Sequence, residues 1–367
     1  MNDKYNFKSI YEIIRDRIVN EEYIYSSLMP SEITLSEEFG VSRPTAAKVY
    51  KRLEREHLVK RIRGRGTLVT KEPANAHRNY TFGLLLPGVG ESEIFSAINN
   101  RLLCLSEQKQ FTFLWDGASA NNAHIRRNLI ETCCSKYIER HVDGIIFSPL
   151  ERVDDADRLN HAICDRIYEA GIPLVLIDRD IVPPPEKSRF DVVGLNNYNA
   201  ALSMARLMIN AGCKNIYFFY RPNSAYSVTM RLRGVRDAVL DAGLYFLNGN
   251  VVCGNPENES VVEKIPIIKG NVGIVCANDS TAAALMSSLE ARGYQCGSDY
   301  LLCGFDDMKY SHLLKCSLSS YMQPCEAIAD VSVELMMRRV ADADAMPLNV
   351  QLNGSVVERD STRFAKL

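Results

Sequence analysis

Apolar positions divide the chain into two regimes of different period. Phe7, Ile10, Tyr11, Ile14 and Ile18 recur at helical spacing and predict a first helix over residues 7 to 20, followed by a second over Glu32 to Phe39. Phe39-Gly40-Val41-Ser42-Arg43-Pro44-Thr45 then supplies a helix end, a glycine turn, an apolar plug, a serine N-cap and a proline in the first turn of a third helix. On that helix Ala46, Val49, Tyr50 and Leu53 share one side. Lys48, Lys51 and Arg55 lie opposite, with Arg43, Pro44 and Thr45 at its start. Leu58 to Val69 reads as two short strands joined by a tip that carries Arg63, Gly64 and Arg65. This pattern predicts a winged helix-turn-helix over residues 1–71.

Residues 72–79 are polar, lack periodicity and contain Pro73, so they read as a linker. From Tyr80 onward short apolar strands alternate with helical patterns. Strands are expected at Thr81 to Leu86, Phe111 to Trp115, Gly144 to Phe147, Leu174 to Ile177, Val192 to Gly194, Asn215 to Phe219, Val251 to Cys253, Val272 to Val275 and Leu301 to Cys303. The stretches between them, such as Tyr198 to Ala211 and Val228 to Ala242, are long enough for helices, and the rhythm is βαβ with parallel sheets. Nine strands exceed one compact domain, and Asp180 to Pro185 interrupts the rhythm near its middle. The expected fold is α/β: a winged helix-turn-helix followed, over 80–367, by two lobes with doubly wound parallel sheets. The first lobe is expected at about 80–190 with 322–341, the second at about 191–321 with 342–367. Val331 to Val340, with Leu335 and Met336, reads either as a dimer helix or as a buried core helix.

Charge sharpens the first regime. From Arg43 to Lys71 there are ten Lys and Arg against two acids, a net of +8, whereas Met1 to Ser42 has four against eight, a net of −4. A local positive patch beside a helix that fits the major groove is what affinity for a phosphate-lined duplex requires. The whole chain has 367 residues, 46% hydrophobic and 24% charged, the composition of an ordinary globular protein of two or three domains. No apolar run approaches the ~20 residues that a bilayer requires, and the start lacks an apolar h-region, so the expected location is the cytoplasm without membrane association. The 11 cysteines include no Cys-x-x-Cys pair, and Cys133 and Cys134 are adjacent. Most, including Cys253, Cys276 and Cys303, sit in apolar segments and read as reduced core thiols.

In open parallel sheets ligands bind beyond the carboxyl ends of the strands. The polar residues at those places are Pro87 and Gly88, Asp116, Ser148, Asp178, Tyr220, Asn278 with Asp279, and Asp306 with Asp307. Each alone is a turn former or helix cap. Together with an arginine they suit a polyhydroxylated neutral molecule, because each sugar hydroxyl both donates and accepts.

Two resemblances add to this reading. Pro30-Ser31-Glu32, Leu35 to Thr45 and Arg63-Gly64-Arg65-Gly66-Thr67-Leu68-Val69 resemble the DNA-binding domain of GntR-family transcription regulators over roughly the first seventy residues. The resemblance implies base and phosphate contacts from Arg43 and Thr45, a minor-groove role for Gly64, and phosphate contacts from Arg63 and Arg65. Val142 to Ile146, Ile172 to Asp178, Arg231-Leu232-Arg233-Gly234, Ala277-Asn278-Asp279 and Gly304 to Asp307 are similar to the effector domain of LacI-type repressors, which is related to periplasmic sugar-binding proteins. That likeness implies that Arg231, Asn278 and Asp306 grip sugar hydroxyls, that Asp178 is the matching contact of the first lobe, and that the Gly88 to Ser92 loop, with Gly88 and Glu91, lines the pocket. Ser148 and Tyr226 complete the expected contacts, and Tyr226, Phe95, Phe147 and Trp115 are candidates for an aromatic wall. At Leu195-Asn196-Asn197 many relatives carry an aspartate before the asparagine. A GntR-type head on a LacI-type body resembles the L-arabinose repressor subgroup. It implies a DNA operator, a monosaccharide effector such as L-arabinose or L-fucose, and a homodimer.

Catalytic readings are weaker. Gly88-x-Gly90 follows a strand, but Glu93 stands where a dinucleotide fingerprint needs glycine. Gly117 to Asn121 stops short of a nucleophile elbow, and the six histidines lack metal-ligand spacing. A GntR-headed aminotransferase body with a pyridoxal phosphate lysine is the alternative, yet it would be longer than the segment available. The sequence therefore predicts a regulator that is not an enzyme and needs no cofactor or metal.

Overall fold

The computed structural model describes residues 5–19, 22–23, 27–62, 66–70, 79–86, 93–109, 111–115 and 123–364. It divides into two compact units, Met1–Asn79 and Tyr80–Leu367.

The first unit contains α1 (Phe7–Val19), α2 (Glu32–Phe39), α3 (Arg43–Arg55), β1 (Val59–Ile62) and β2 (Gly66–Val69). Ile10, Ile14 and Ile18 of α1 meet Leu35 and Phe39 of α2 and Ala46, Val49, Tyr50 and Leu53 of α3 in one core. The apolar stripe on α3 is therefore the one its period predicted. Ser31 caps α2 by accepting from the Thr34 amide at 3.1 Å. Gly40 ends α2 at φ 64°, a left-handed turn in which an L side chain is strained. Ser42 is the N-cap of α3, but its hydroxyl lies 2.9 Å from the Thr45 hydroxyl and does not bond a helix amide. β1 and β2 pair antiparallel from Val59↔Val69 to Ile62↔Gly66, and Leu28 adds a bridge to Leu68.

The second unit holds two six-stranded sheets. The first lobe uses β3 (Tyr80–Leu85), α4 (Glu93–Lys109), β4 (Phe111–Leu114), α5 (Ala123–Glu139), β5 (Gly144–Phe147), α6 (Ala156–Glu169), β6 (Leu174–Ile177) and β7 (Asp191–Leu195). The second uses α7 (Asn197–Asn210), β8 (Asn215–Tyr220), α8 (Tyr226–Asp241), β9 (Val251–Cys253), α9 (Glu259–Val262), β10 (Val272–Cys276), α10 (Asp279–Glu290), β11 (Tyr300–Phe305) and β12 (Ser319–Met322). The chain returns through α11 (Cys325–Ala341) and β13 (Asn349–Leu352) to the first lobe, then ends with β14 (Ser355–Val357) in the second. The strand orders are β13-β7-β6-β5-β3-β4, all parallel, and β14-β12-β11-β10-β8-β9, parallel except for β14. Central strands such as β5, β6, β10 and β11 are buried throughout, as helices on both faces require.

The lobe boundaries differ from the sequence expectation. Residues 191–195 and 349–352 were expected in the second lobe, but both strands belong to the first lobe's sheet, where they pair with each other. The physical reason is Asp191. Its fully buried carboxylate accepts from Arg339 Nε at 2.9 Å and the Leu348 amide at 2.8 Å, with Arg338 Nη1 at 3.4 Å, which fastens β7 to α11 and to the approach of β13. Helix α11 is a core helix: Ile328, Ala329, Val333, Leu335 and Met336 are buried inside the first lobe, so Leu335 and Met336 are not offered to a partner. Cys253, expected in a core, is exposed at the end of the edge strand β9, whereas Cys276 and Cys303 are buried.

Between α7 and α8, a Cβ on Gly234 would meet the Tyr198 carbonyl oxygen and the Leu202 amide, so only glycine permits this close helix approach. Removing the fully buried carboxylate of Asp191 leaves Arg339, whose side chain is 13% exposed, without its counter-charge, and takes from Arg338 an ion pair at 3.4 Å. Asp191→Ala should cost about 3–5 kcal/mol, measured as a lower denaturant midpoint for the second unit; an unchanged midpoint would mean that this cluster does not fasten the strand crossing.

Candidate functional site

The carboxyl ends of the two sheets face a cavity of about 150 Å³. Its lining includes Phe95, Arg126, Glu151, Arg152, Asp178, Arg179, Arg231, Asn278, Asp306 and Gln323. Four of the expected contacts, Asp178, Arg231, Asn278 and Asp306, are therefore brought together, each just beyond a strand or on the first turns of α8.

Arg231 is the deepest of these. Nε donates to Asn197 Oδ1 at 2.8 Å, Nη1 to the Ala277 carbonyl at 2.5 Å, and the guanidinium lies 4.3 Å from the centre of the Phe305 ring. Burial pulls its pKa down, opposed by the charge of Asp306. The Leu195-Asn196-Asn197 departure is thus explained locally: Asn196 accepts from the Asn199 amide to cap α7, and Asn197 holds the arginine. Asn278 Oδ1 accepts from the Thr281 amide at 2.9 Å and caps α10. The neighbouring Asp279 turns away from the cavity and accepts from the Met308 amide, Ser311 and Ser320, which fixes the loop after β11. Burial raises the Asp279 carboxyl to about 6.

Asp306 sits in that loop at φ 110° and accepts from Gln323 Nε2 at 2.8 Å. Burial pushes its carboxyl up to about 7 despite the attraction of Arg231. Across the cavity Arg179 donates to Asp178 Oδ2 at 2.8 Å through Nε and lies 2.9 Å from Glu151 Oε2 through Nη1. Burial pushes the Glu151 carboxyl up, but Arg179 and Arg152 outweigh it and hold the group below the ordinary value.

Other expected contacts lie elsewhere. Ser148 is fully buried and does not line the cavity, because its amide bonds the Leu85 carbonyl and the residue still belongs to the sheet; the wall begins at Pro149. Tyr226 lines an adjoining cavity with Pro184 and Met230, which shares Asp178, Arg179 and Ser227 with the first, and its hydroxyl donates to Asp157 of the first lobe at 2.8 Å. Phe147 is a core residue and Trp115 packs against the first lobe's core, so that among the described residues Phe95 is the aromatic side chain at the cavity. Gly88 and Glu91 lie outside the described residues, as do Arg63, Gly64 and Arg65 of the wing. Glu151, Arg152, Arg179 and Gln323 escaped the sequence reading, although each follows a strand by one to five residues.

On the first unit Arg43, Pro44, Lys48, Lys51, Arg52 and Arg55 of α3 are exposed, while Thr45 is half-buried beside Ser42. Arg43 and Arg61 both approach Glu32, at 3.4 and 3.1 Å, which aims the first arginine of the helix although its side chain stays 66% exposed. Arg52 bonds Glu56 and stacks on Tyr11 along the exposed surface, with its side chain 55% exposed.

Comparison with known proteins accords with this geometry. Residues 6–69 match the family described as bacterial regulatory proteins, gntR family, and residues 205–362 match the periplasmic binding protein-like domain. HTH-type transcriptional regulator CelR of Thermobifida fusca is 23% identical over 229 residues, 60% of this chain and 64% of that protein. HTH-type transcriptional repressor PurR of Photobacterium profundum is 25% identical over 229 residues, 61% of this chain and 66% of its own length. The alignments thus span just under two thirds of these relatives. A solved complex of transcriptional regulator CelR with cellobiose superimposes with a TM-score of 0.63 at 19% identity, covering 91% of this chain and all of that one. The chain therefore joins a GntR-type helix-turn-helix domain to a two-lobed, periplasmic-binding-protein-like domain. The matched body occupies the stretch where an aminotransferase would have to lie. Among the described residues no helix is long and apolar enough to cross a membrane.

Because the folded carboxyl of Asp306 titrates near 7 and an unfolded one near 4, stability is lost as pH rises between those values and the penalty is full above 7. Asp306→Asn should remove that loss, raising the melting temperature of the ligand-free protein at pH 8 by about 2–4 °C per kcal/mol relieved with little change at pH 4. Thermal unfolding across this range checks it, and a lower melting point at pH 8 would contradict it.

Proposed function

We propose that this protein is a DNA-binding transcription regulator, acting as a repressor in the cytoplasm, whose affinity for its operator is set by a monosaccharide bound between the two lobes. The observation that carries the reading is the convergence of Arg231, Asn278, Asp306 and Asp178 on one cavity in a chain whose head presents an exposed basic helix. A cavity of about 150 Å³ is on the scale of one six-membered ring, the size of a pentose or hexose such as L-arabinose or L-fucose. The solved CelR relative holds a carbohydrate, cellobiose, and PurR is named a repressor, which supports the same class of activity here. The arrangement is one of binding: the acids at the cavity are held by arginine or glutamine, and no step of bond cleavage is asked of them.

The head supplies positive charge and a helix N-terminus, and Arg43, Pro44, Thr45 and Lys48 on α3, with Arg63, Gly64 and Arg65 at the wing, are the proposed DNA contacts. One winged domain covers too little DNA for tight specific binding, so a homodimer reading two half-sites is part of the proposal. Effector-driven closure of the lobes would change the spacing of the two heads relative to those half-sites. The pyridoxal phosphate reading has no comparable support.

Two measurements test this reading. With an operator recovered by in vitro selection on the full chain, Arg43→Ala should weaken binding about 10- to 100-fold and leave carbohydrate binding intact; equal loss of both would remove α3 as the reading helix. Operator affinity should also fall by on the order of 10³ between 50 and 200 mM salt if about six phosphates are neutralised. A flat response would dismiss the basic patch as the contact surface.

A further inference from the structure

The cavity's donors and acceptors are only partly engaged with one another. Asp178 takes its hydrogen bonds from Arg179, and Glu151 is held by Arg179 and by the Ala225 amide at 3.3 Å. Asp306 Oδ1 is held by Gln323, and Asn278 Oδ1 by the α10 cap. Acceptors not engaged by these bonds are Asp178 Oδ1, Glu151 Oε1, Asp306 Oδ2 and Gln323 Oε1, the last buried without a partner. Donors left are Arg231 Nη2, Asn278 Nδ2, the hydroxyl of Ser227 and the guanidinium of Arg152, while the Ser280 hydroxyl donates to Asn278 Oδ1 at 3.0 Å.

Arg152 is the exceptional member. Its Nε is buried with no hydrogen-bond partner, and among the described residues it forms no ion pair. Its position is nonetheless fixed: the residue adopts φ 55°, and its amide donates across the lobe boundary to the Asn223 carbonyl at 2.8 Å. Glu151, its neighbour in sequence, lies within its electrostatic reach but gives Oε2 to Arg179 and the Ala225 amide, and forms no ion pair with Arg152. A second cation, Arg221, lies on the far lobe within electrostatic reach of Arg152 and bonds only the neutral Thr281 and Asn255, at 3.4 Å each. Burial and the charge of Arg152 together lower its pKa. The half-buried Arg152 side chain, its Nε buried without a partner, presents a planar fork suited to carboxylate or phosphate oxygens.

We propose that the effector is an anionic monosaccharide, a pentose or hexose carrying a carboxylate or a phosphate, with its hydroxyls on Arg231, Asn278 and Asp306 and its anionic group on Arg152. The proposal rests on the carbohydrate reading above and sharpens it, because a neutral sugar would offer the unpaired Arg152 fork no carboxylate or phosphate oxygens.

The test is a thermal-shift and calorimetric comparison on the full chain. The probes are L-arabinose, L-fucose and D-glucose as neutral sugars, D-gluconate and D-galacturonate as sugar acids, D-ribose 5-phosphate and D-glucose 6-phosphate as sugar phosphates, and inorganic phosphate. At least one sugar acid or sugar phosphate should bind at least tenfold more tightly than every neutral sugar, and the two charged sets tell carboxylate from phosphate. Arg152→Gln should reduce that affinity at least tenfold, Arg152→Lys should restore part of it, and binding should weaken with salt. Circular dichroism and the ligand-free melting temperature verify that the variants are folded. Neutral sugars binding as tightly as the charged ones, or an Arg152→Gln protein with unchanged affinity, would overturn the proposal while leaving the carbohydrate reading in place. Inorganic phosphate binding without any sugar, or no response to any probe, would overturn both.

Discussion

A single buried guanidinium organises the second lobe. Arg231 cannot leave water without partners, since a buried charge is tolerated only when it is hydrogen-bonded and electrostatically opposed. Each of its contacts fixes a different element: Asn197 at the start of α7, Ala277 at the end of β10, and the Phe305 ring at the end of β11. The glycine contact between α7 and α8 brings the arginine close enough to reach all three. One side chain therefore ties two helices and two strands at the mouth of the sheet, and the same side chain lines the cavity. The cavity wall on this side is rigid because it is also part of what holds the lobe together.

The first lobe meets that wall through polar contacts. Arg152 bonds Asn223, Glu151 bonds Ala225, Tyr226 bonds Asp157 and the Lys309 amide bonds Glu93. The large apolar clusters stay on their own sides of the boundary, apart from Leu195 where the chain crosses. Three chain crossings, after β7, after β12 and after β13, join two cores that do not interpenetrate. An interface of this kind permits hinge motion at low cost, because opening exchanges protein hydrogen bonds for water and exposes little apolar surface. Tyr226 is informative here: expected in the sugar pocket, it serves as a strap between lobes, so its hydroxyl reports closure more directly than ligand chemistry.

Much of this architecture was legible from hydrophobic periodicity, and the exceptions have physical causes. β12 reads Ser-Ser-Tyr-Met, yet it is an inner strand, because Ser320 bonds the buried Asp279 and Ser319 bonds Thr362 near the end of the chain. Polar residues that satisfy one another hide a buried strand from any count of apolar positions. β13 and β14 are short edge strands with exposed faces, and they too lack an apolar signature. The lobe boundary differed by two strands, β7 and β13, because what holds them in the first lobe is the buried ion cluster around Asp191, a polar anchor that hydrophobic periodicity does not reveal. In the site the strand-end rule recovered Asp178, Asn278 and Asp306. It overlooked Arg179, which directly follows Asp178, and the Glu151-Arg152 pair in the loop after β5, where the same rule applied a few residues further on would have found them.

The backbone at the cavity explains why the acids found by that rule are aspartates. Asp178, Asp306 and Asp307 have φ of 71°, 110° and 50°, conformations that cost most side chains about 1–3 kcal/mol and are easier for short polar ones. The strain at Asp306 is sustained by its surroundings: Asp279 holds the following loop at Met308 and Ser311 and clasps Ser320 of β12, while Arg359 pairs with Asp307 at 2.7 Å. Adjacent residues have therefore divided the labour, Asn278 facing the cavity and Asp279 supporting the strained turn from beneath. A loop fixed in this way presents a carboxyl whose ionisation burial disfavours and Arg231 favours. A bound hydroxyl that donates to Asp306 Oδ2 would add to the second influence, so occupancy of the cavity and the charge of this residue are thermodynamically linked.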